Sequence, residues 1–201
     1  MTPLLIATTN PGKLIEIQDL LPGFELALPK TLGIEMEVEE SGATYAENAA
    51  LKARAYCQAS GLVTLADDSG LEVDALGGQP GLHSARYSPL PGARDADRRA
   101  LLLGNLALRP RPWLAHFHCT VAIALPGPDK KIRDVLYTEG DCPGEIIPSE
   151  RGSNGFGYDP VFLLPDFGVT MAELTRDQKN RLSHRARAIL AALPLLKLIF
   201  A

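Results

Sequence analysis

The sequence predicts an α/β protein with a mixed β-sheet and flanking helices, arranged as two lobes around a central cleft. Three observations lead there. Apolar runs of strand character recur, short at 4–8 and 62–66 and long at 113–125. Segments of helical spacing alternate with them at 13–21, 44–61 and 95–106. Pro126-Gly127-Pro128 then breaks a long strand pattern that resumes over 131–139, as in a hairpin. Strand–helix units mixed with a hairpin point to a mixed sheet rather than a purely alternating, doubly wound one. With no internal linker, the chain is expected to form a single domain over 1–201.

Taken in order, Leu4-Leu5-Ile6-Ala7-Thr8 is a buried first strand, and Thr9-Asn10-Pro11-Gly12 turns the chain. Leu14, Ile17, Leu20 and Leu21 give 13–21 an apolar helical stripe that Pro22-Gly23 stops. Residues 24–28 form a second strand, and the acidic segment 35–40 leads into a loop at Ser41-Gly42. Thr44 and Glu47 have capping-box spacing, so a helix starts there and ends at Gly61. Residues 62–66 are a short strand, with Asp67-Asp68 at its end and Ser69-Gly70 as a turn. After a glycine-rich stretch at 76–81 come Ser84-Ala85-Arg86-Tyr87 and a proline-rich loop, then an amphipathic helix over 95–106. The hairpin follows, then a short strand at 144–147 and a glycine loop at 151–160 carrying Phe156 and Tyr158. Ser183 caps a last helix running through Ala192.

With 46% hydrophobic and 22% charged residues, the composition is that of a globular protein. The net charge of -4 argues against a nucleic-acid polymer as partner. No apolar run is long enough for a membrane span. Three cysteines without a Cys-x-x-Cys pair suit core thiols in a cytoplasmic protein.

The candidate chemistry begins with Asp67-Asp68. Magnesium takes hard oxygen ligands, commonly one or two carboxylates with phosphate oxygens and water. Thr8, Thr9, Asn10, Pro11, Gly12 and Lys13 join a strand to a helix and offer hydroxyls, backbone donors and an ammonium, which suits a phosphate. The spacing is not that of a P-loop. Lys52 either reaches a cleft or snorkels to solvent. His116 and His118 share a strand face, but no third ligand points to zinc. Phe156 and Tyr158 lie among glycines, where a backbone can approach a ligand and a ring can stack on a base.

Together these stretches resemble the inosine triphosphatase family, pyrophosphatases of non-standard purine nucleoside triphosphates. The matching stretches are Thr8 to Lys13, Glu39 to Ala49, Ala66 to Leu71, Ser84 to Tyr87, Gly155 to Pro160 and Ser183-His184-Arg185. They follow the family's order over nearly the whole chain. Asn154 stands where the family loop usually has a second glycine, Ser41 where threonine is common and Tyr45 where phenylalanine is common.

The resemblance implies an elongated fold, a homodimer, Mg2+ dependence and hydrolysis of ITP, dITP or XTP to the monophosphate and pyrophosphate. It implies Asp68 as catalytic base and metal ligand, and Glu39 as the second metal carboxylate, with Glu40 the alternative. Asp67 would support the metal. Lys13 and Lys52 would bind the triphosphate, helped by Thr8, Asn10 and Ser69. Phe156 would stack on the purine, with Gly157, Tyr158, Asp159, Lys179, His184 and Arg185 around the base or nearby phosphates. Two alternatives stay open: a hydrolase of other modified nucleoside triphosphates, and a nucleotide sensor without turnover.

Overall fold

The structure is a computed structural model that describes residues 2–201. Seven strands form one mixed sheet in the order β2-β1-β3-β4-β5-β6-β7. They are β1 (Leu4–Ile6), β2 (Leu26–Ala27), β3 (Thr64–Val73), β4 (Trp113–Pro126), β5 (Ile132–Ile146), β6 (Phe162–Leu164) and β7 (Val169–Thr170). β1 pairs in parallel with β2 and β3, whereas β6 pairs antiparallel with β5 and β7. Among the described residues five α-helices accompany them: α1 (Pro11–Leu20), α2 (Tyr45–Ser60), α3 (Asp95–Leu106), α4 (Arg176–Leu182) and α5 (His184–Phe200).

Local chemistry accounts for the boundaries. Asn10 caps α1, its Oδ1 accepting from the N–H groups of Gly12 at 2.9 Å and Lys13 at 3.1 Å. Pro11 fits the first helical position because its missing N–H would go unused there, so α1 starts two residues before the expected 13. Thr44 caps α2, and Gly61 ends it in the left-handed conformation at φ 74°.

Four expectations need correction. Ser69-Gly70 is not a turn: β3 runs through both residues, so Asp67 and Asp68 sit mid-strand. The short strand at 144–147 is mostly the end of β5. α5 continues past Ala192, carrying Pro194 on its exposed side. β6, β7 and α4 are elements the sequence pattern did not mark.

The chain divides into two compact units. The first comprises the chain up to Asp68, Cys119–Gly140 and Arg185–Ala201; the second comprises Ser69–His118 and Asp141–His184. In the first unit the period-two alternation of strand side chains builds a three-layer sandwich. Leu4, Ile6, Leu65, Val121 and Ile123 pack with Ile17 and Leu20 of α1 and with Ala188, Ile189 and Ala192 of α5. Leu5, Ala7, Ala66, Ala122 and Ala124 pack against Ala49, Ala50, Ala53 and Tyr56 of α2. Each fully buried Leu or Ile contributes about 1.5–3 kcal/mol. In the second unit Leu71, Val73, Trp113, Ala115, Phe117 and Cys142 pack with Leu102 and Leu106 of α3. Cys57, Cys119 and Cys142 are buried, unbridged thiols. Among the described residues no helix is long and apolar enough to cross a membrane.

Candidate functional site

Adjacent strand residues face opposite sides of a sheet. Leu65 joins the α1/α5 layer and Ala66 the α2 layer. Continuing the alternation, Asp67 turns towards α1 and α5, and Asp68 towards α2. The two neighbouring acids therefore meet different partners.

Asp67 is 2% exposed. Its Oδ2 lies 2.9 Å from Lys13 Nζ and 3.1 Å from Arg185 Nε. Arg185 also binds Glu16 through Nη1. Burial alone would raise the Asp67 pKa, but Lys13, Arg185 and Lys52 hold it well below the usual carboxylate range. Cys119 Sγ lies 3.9 Å from Asp67 Oδ2. Burial, assisted by Asp67, pushes that thiol up to about 12, so it is a neutral neighbour rather than a nucleophile.

Asp68 behaves in the opposite way. Burial raises its pKa and Glu40 adds to the rise, while Lys52, Lys13 and a hydrogen bond from Asn48 oppose it. Lys52 Nζ stands 3.8 Å from Asp68 Oδ1, 2.7 Å from Glu40 Oε1 and 2.7 Å from the Asp67 carbonyl oxygen. Burial disfavours the Lys52 ammonium, yet Asp67, Asp68 and Glu40 together raise its pKa. Paired carboxylates pushed apart in this way divide their tasks: one keeps its charge, and the other can exchange a proton.

The acidic segment alternates in burial, with Glu35, Glu37 and Glu39 exposed and Met36, Val38 and Glu40 turned inward. Glu40 is thus the acid joined to Asp68 through Lys52. Glu39, the acid preferred from the resemblance, is exposed.

At the strand–helix turn, Asn10 Oδ1 already takes the Gly12 and Lys13 N–H groups. Thr8 Oγ1 accepts from the Asn10 N–H at 3.2 Å. The first-turn amides are therefore engaged, and Pro11 has none. What the turn can offer an anion is Lys13, the Asn10 amide nitrogen and the hydroxyls of Thr8 and Thr9. Ser69, half-buried, is the first residue of the second unit.

The second unit holds the aromatic glycine loop. Asp159 Oδ2 accepts from the Phe156 N–H at 2.9 Å and binds Lys179 Nζ at 2.5 Å. Lys179 Nζ lies 4.8 Å from the Phe156 ring centroid, a cation–π contact. Gly155 has φ +74°, and a Cβ there would come within 2.0 Å of Asp159 Oδ2, so only glycine fits. Asn154 needs no left-handed backbone, because the positive φ values fall on Gly152, Gly155 and Gly157. Its side chain instead donates to the Leu174 carbonyl at 3.0 Å. From α3, Asp95 accepts from the Gly157 N–H at 2.7 Å, and Arg99 donates to the Gly157 carbonyl at 2.8 Å.

The structure therefore brings together Lys13, Lys52, Glu40, Asp67, Asp68 and Arg185 in the first unit, and Phe156, Gly157, Asp159 and Lys179 in the second. Three placements differ from expectation. Tyr158 is 4% exposed and donates to the Ser84 carbonyl at 2.9 Å, so its ring belongs to the core. His184 is buried, with its ring stacked 4.7 Å from that of Phe117. Arg185 is 1% exposed and committed to Asp67 and Glu16. Reading a purine oxygen with Arg185 would require the guanidinium to leave two carboxylates.

Sequence reasoning missed Glu16, Asn48, Asp95 and Arg99. Glu16 and Asn48 are polar residues of α1 and α2 that the structure buries beside apolar ones. Asp95 and Arg99 are spaced i,i+4, so both can reach one loop.

Among the described residues no three His, Cys, Asp or Glu side chains converge as a protein-only metal site. Magnesium does not need one, since phosphate and water fill most of its coordination. The residues fit such an ion. Glu40 and Asp68 are oxygen donors placed around a position already occupied by a cation, Lys52. Asp67 Oδ1 is buried without a hydrogen-bond partner among the described residues.

The family model described as "Ham1 family" matches residues 4–195. The chain belongs to the Ham1 family. That is the family its ordered motifs indicate. Among curated Ham1-like relatives, the dITP/XTP pyrophosphatase of Synechocystis sp. is 49% identical over 94% of this chain and 92% of that protein. The dITP/XTP pyrophosphatase of Listeria monocytogenes serotype 4b is 44% identical over 94% of this chain and 92% of that protein. The HAM1 protein structure from Coxiella burnetii aligns with a TM-score of 0.86 at 38% identity, covering 98% of this chain and 99% of that one. The mixed-sheet α/β fold expected from the sequence is thus that of its Ham1 neighbours.

Proposed function

We propose that this chain hydrolyses noncanonical purine nucleoside triphosphates, dITP, ITP and XTP, to the monophosphate and pyrophosphate, clearing them from the nucleotide pool. The observation that carries the reading is the divergence of Asp67 and Asp68. Asp67 meets Lys13 and Arg185 while its neighbour Asp68 meets Lys52, in a chain whose relatives are named dITP/XTP pyrophosphatases.

One water adds across the α–β anhydride bond. Asp68 takes its proton; burial raises its pKa above the usual carboxylate value, which makes it the better acceptor of the two. Lys13 and Lys52 draw the triphosphate oxygens in, with Thr8, Thr9, Asn10 and Ser69 as hydrogen-bonding groups. Asp67, fixed by Lys13 and Arg185, holds Lys13 in place. Glu40 and Asp68 would hold Mg2+, which supplies charge neutralisation on the phosphate oxygens. Phe156 would stack on the purine, with its loop braced by Asp159 and Lys179. His184 and Arg185 would meet the base only by exchanging their present partners for it. We further assign both compact units to one functional domain, and the protein to a cytoplasmic homodimer.

Product analysis tests this reading. With dITP and magnesium, dIMP and pyrophosphate should form in equal amounts. Formation of dIDP and orthophosphate would place cleavage at the other anhydride bond and overturn the assignment.

A further inference from the structure

Asn48 is 1% exposed, deep in the α2 layer of the first unit. A buried asparagine needs partners for both ends of its amide. Its Oδ1 accepts from the Gly42 N–H at 2.8 Å. That acceptance fixes the flip of the amide, so Nδ2 is the end that faces the Asp68 carboxylate, to which Asn48 is hydrogen-bonded. Gly42 allows the approach because it has no side chain: a Cβ there would lie 2.6 Å from Glu47 Cβ and 2.8 Å from Asn48 Oδ1. Two residues before Gly42 stands Glu40, tied to Lys52 at 2.7 Å. One side chain thus spans the loop that carries Glu40 and the carboxylate of Asp68.

We propose that Asn48 is a positioning residue for the hydrolytic step, holding the Asp68 carboxylate in its working orientation while anchoring the Glu40 loop beside it. This rests on Asp68 being the base. The Nδ2 donor occupies one lone pair of the carboxylate and sets its rotation, so the remaining oxygen meets water in a fixed direction. Lys13 and Lys52 reach the triphosphate independently of Asn48. Loss of the amide should therefore act on turnover and leave nucleotide binding nearly unchanged.

The experiment compares Asn48→Asp, Asn48→Leu and Asp68→Asn with wild type, all checked for folding by circular dichroism and thermal melting. Asn48→Asp keeps an acceptor for Gly42 but loses the donor to Asp68. Asn48→Leu adds no charge and loses both bonds. Both should lower kcat for dITP by about 10- to 100-fold, in the range for removing a hydrogen-bonded supporter of an active-site ligand. KM should stay within about threefold of wild type. If Asn48→Asp turns over normally while Asn48→Leu falls, Asn48 is only a loop anchor and the proposal is overturned. If Asn48→Leu turns over normally while Asn48→Asp falls, the added charge is responsible, which overturns it equally. If both variants turn over normally while Asp68→Asn is inactive, the positioning role fails and the base assignment stands. Normal turnover by Asp68→Asn would remove the base assignment and the role of Asn48 with it.

Discussion

Asp68→Asn should lower kcat by at least about 100-fold, the loss typical of removing a general base. The substitution preserves shape and removes only the ability to take a proton and one negative charge. The fold should tolerate it, because Lys52 keeps Glu40 and the Asp67 carbonyl oxygen as partners. Asp67→Asn should behave differently, although the residue is adjacent. It removes the counter-charge of Lys13 and Arg185 inside the protein, and breaking one side of a buried ion pair costs about 3–5 kcal/mol. Asp67→Asn should therefore appear first as a lowered melting temperature, and Asp68→Asn as lost turnover in a folded protein. Steady-state kinetics and thermal melts on both variants separate the two. Near-normal turnover by folded Asp68→Asn would contradict the assignment.

Removing divalent metal should abolish hydrolysis altogether, and magnesium should restore it. Glu40 and Asp68 bring two negative charges against the single ammonium of Lys52, so the cluster is net negative before any nucleotide arrives. A triphosphate arriving there brings several further negative oxygens, more than Lys13 and Lys52 can offset. The charge balance then calls for a divalent cation, and the oxygen-only donor set favours magnesium over a soft metal. The measurement is pyrophosphate release after exhaustive chelation and after adding back magnesium or zinc. Magnesium should recover the rate and zinc should not be required. Full activity in the chelated protein would contradict the metal assignment.

Much of the architecture was legible because local rules governed it. The limits of α3 and the caps at Thr44 and Gly61 depend on residues within a turn of one another. β6 and β7 were not legible: three and two residues long, they are too short to show a period, and pairing with β5 stabilises β6. Ser69-Gly70 misled because local turn chemistry yields to ladder hydrogen bonding within a long strand. At the site, the pairings between residues were not legible. The sequence places Arg185 beside His184, but only the fold brings Glu16 and Asp67 to it from 169 and 118 positions away. The choice between Glu39 and Glu40 likewise depended on which way an extended segment faces. Asn48 stood inside a recognised motif, yet its role emerges only from Gly42 on one side and Asp68 on the other.

The central claim concerns which nucleotides are hydrolysed. Its most direct measurement is kcat/KM for pyrophosphate release from dITP, XTP, ATP and GTP with magnesium. A donor recruited to the oxygen at purine position six would be left unpaired opposite the amino group of ATP, a penalty of about 1–3 kcal/mol per group. The account predicts kcat/KM for dITP and XTP at least about tenfold above that for ATP. Equal kcat/KM for all four nucleotides, or a preference for ATP, would contradict it.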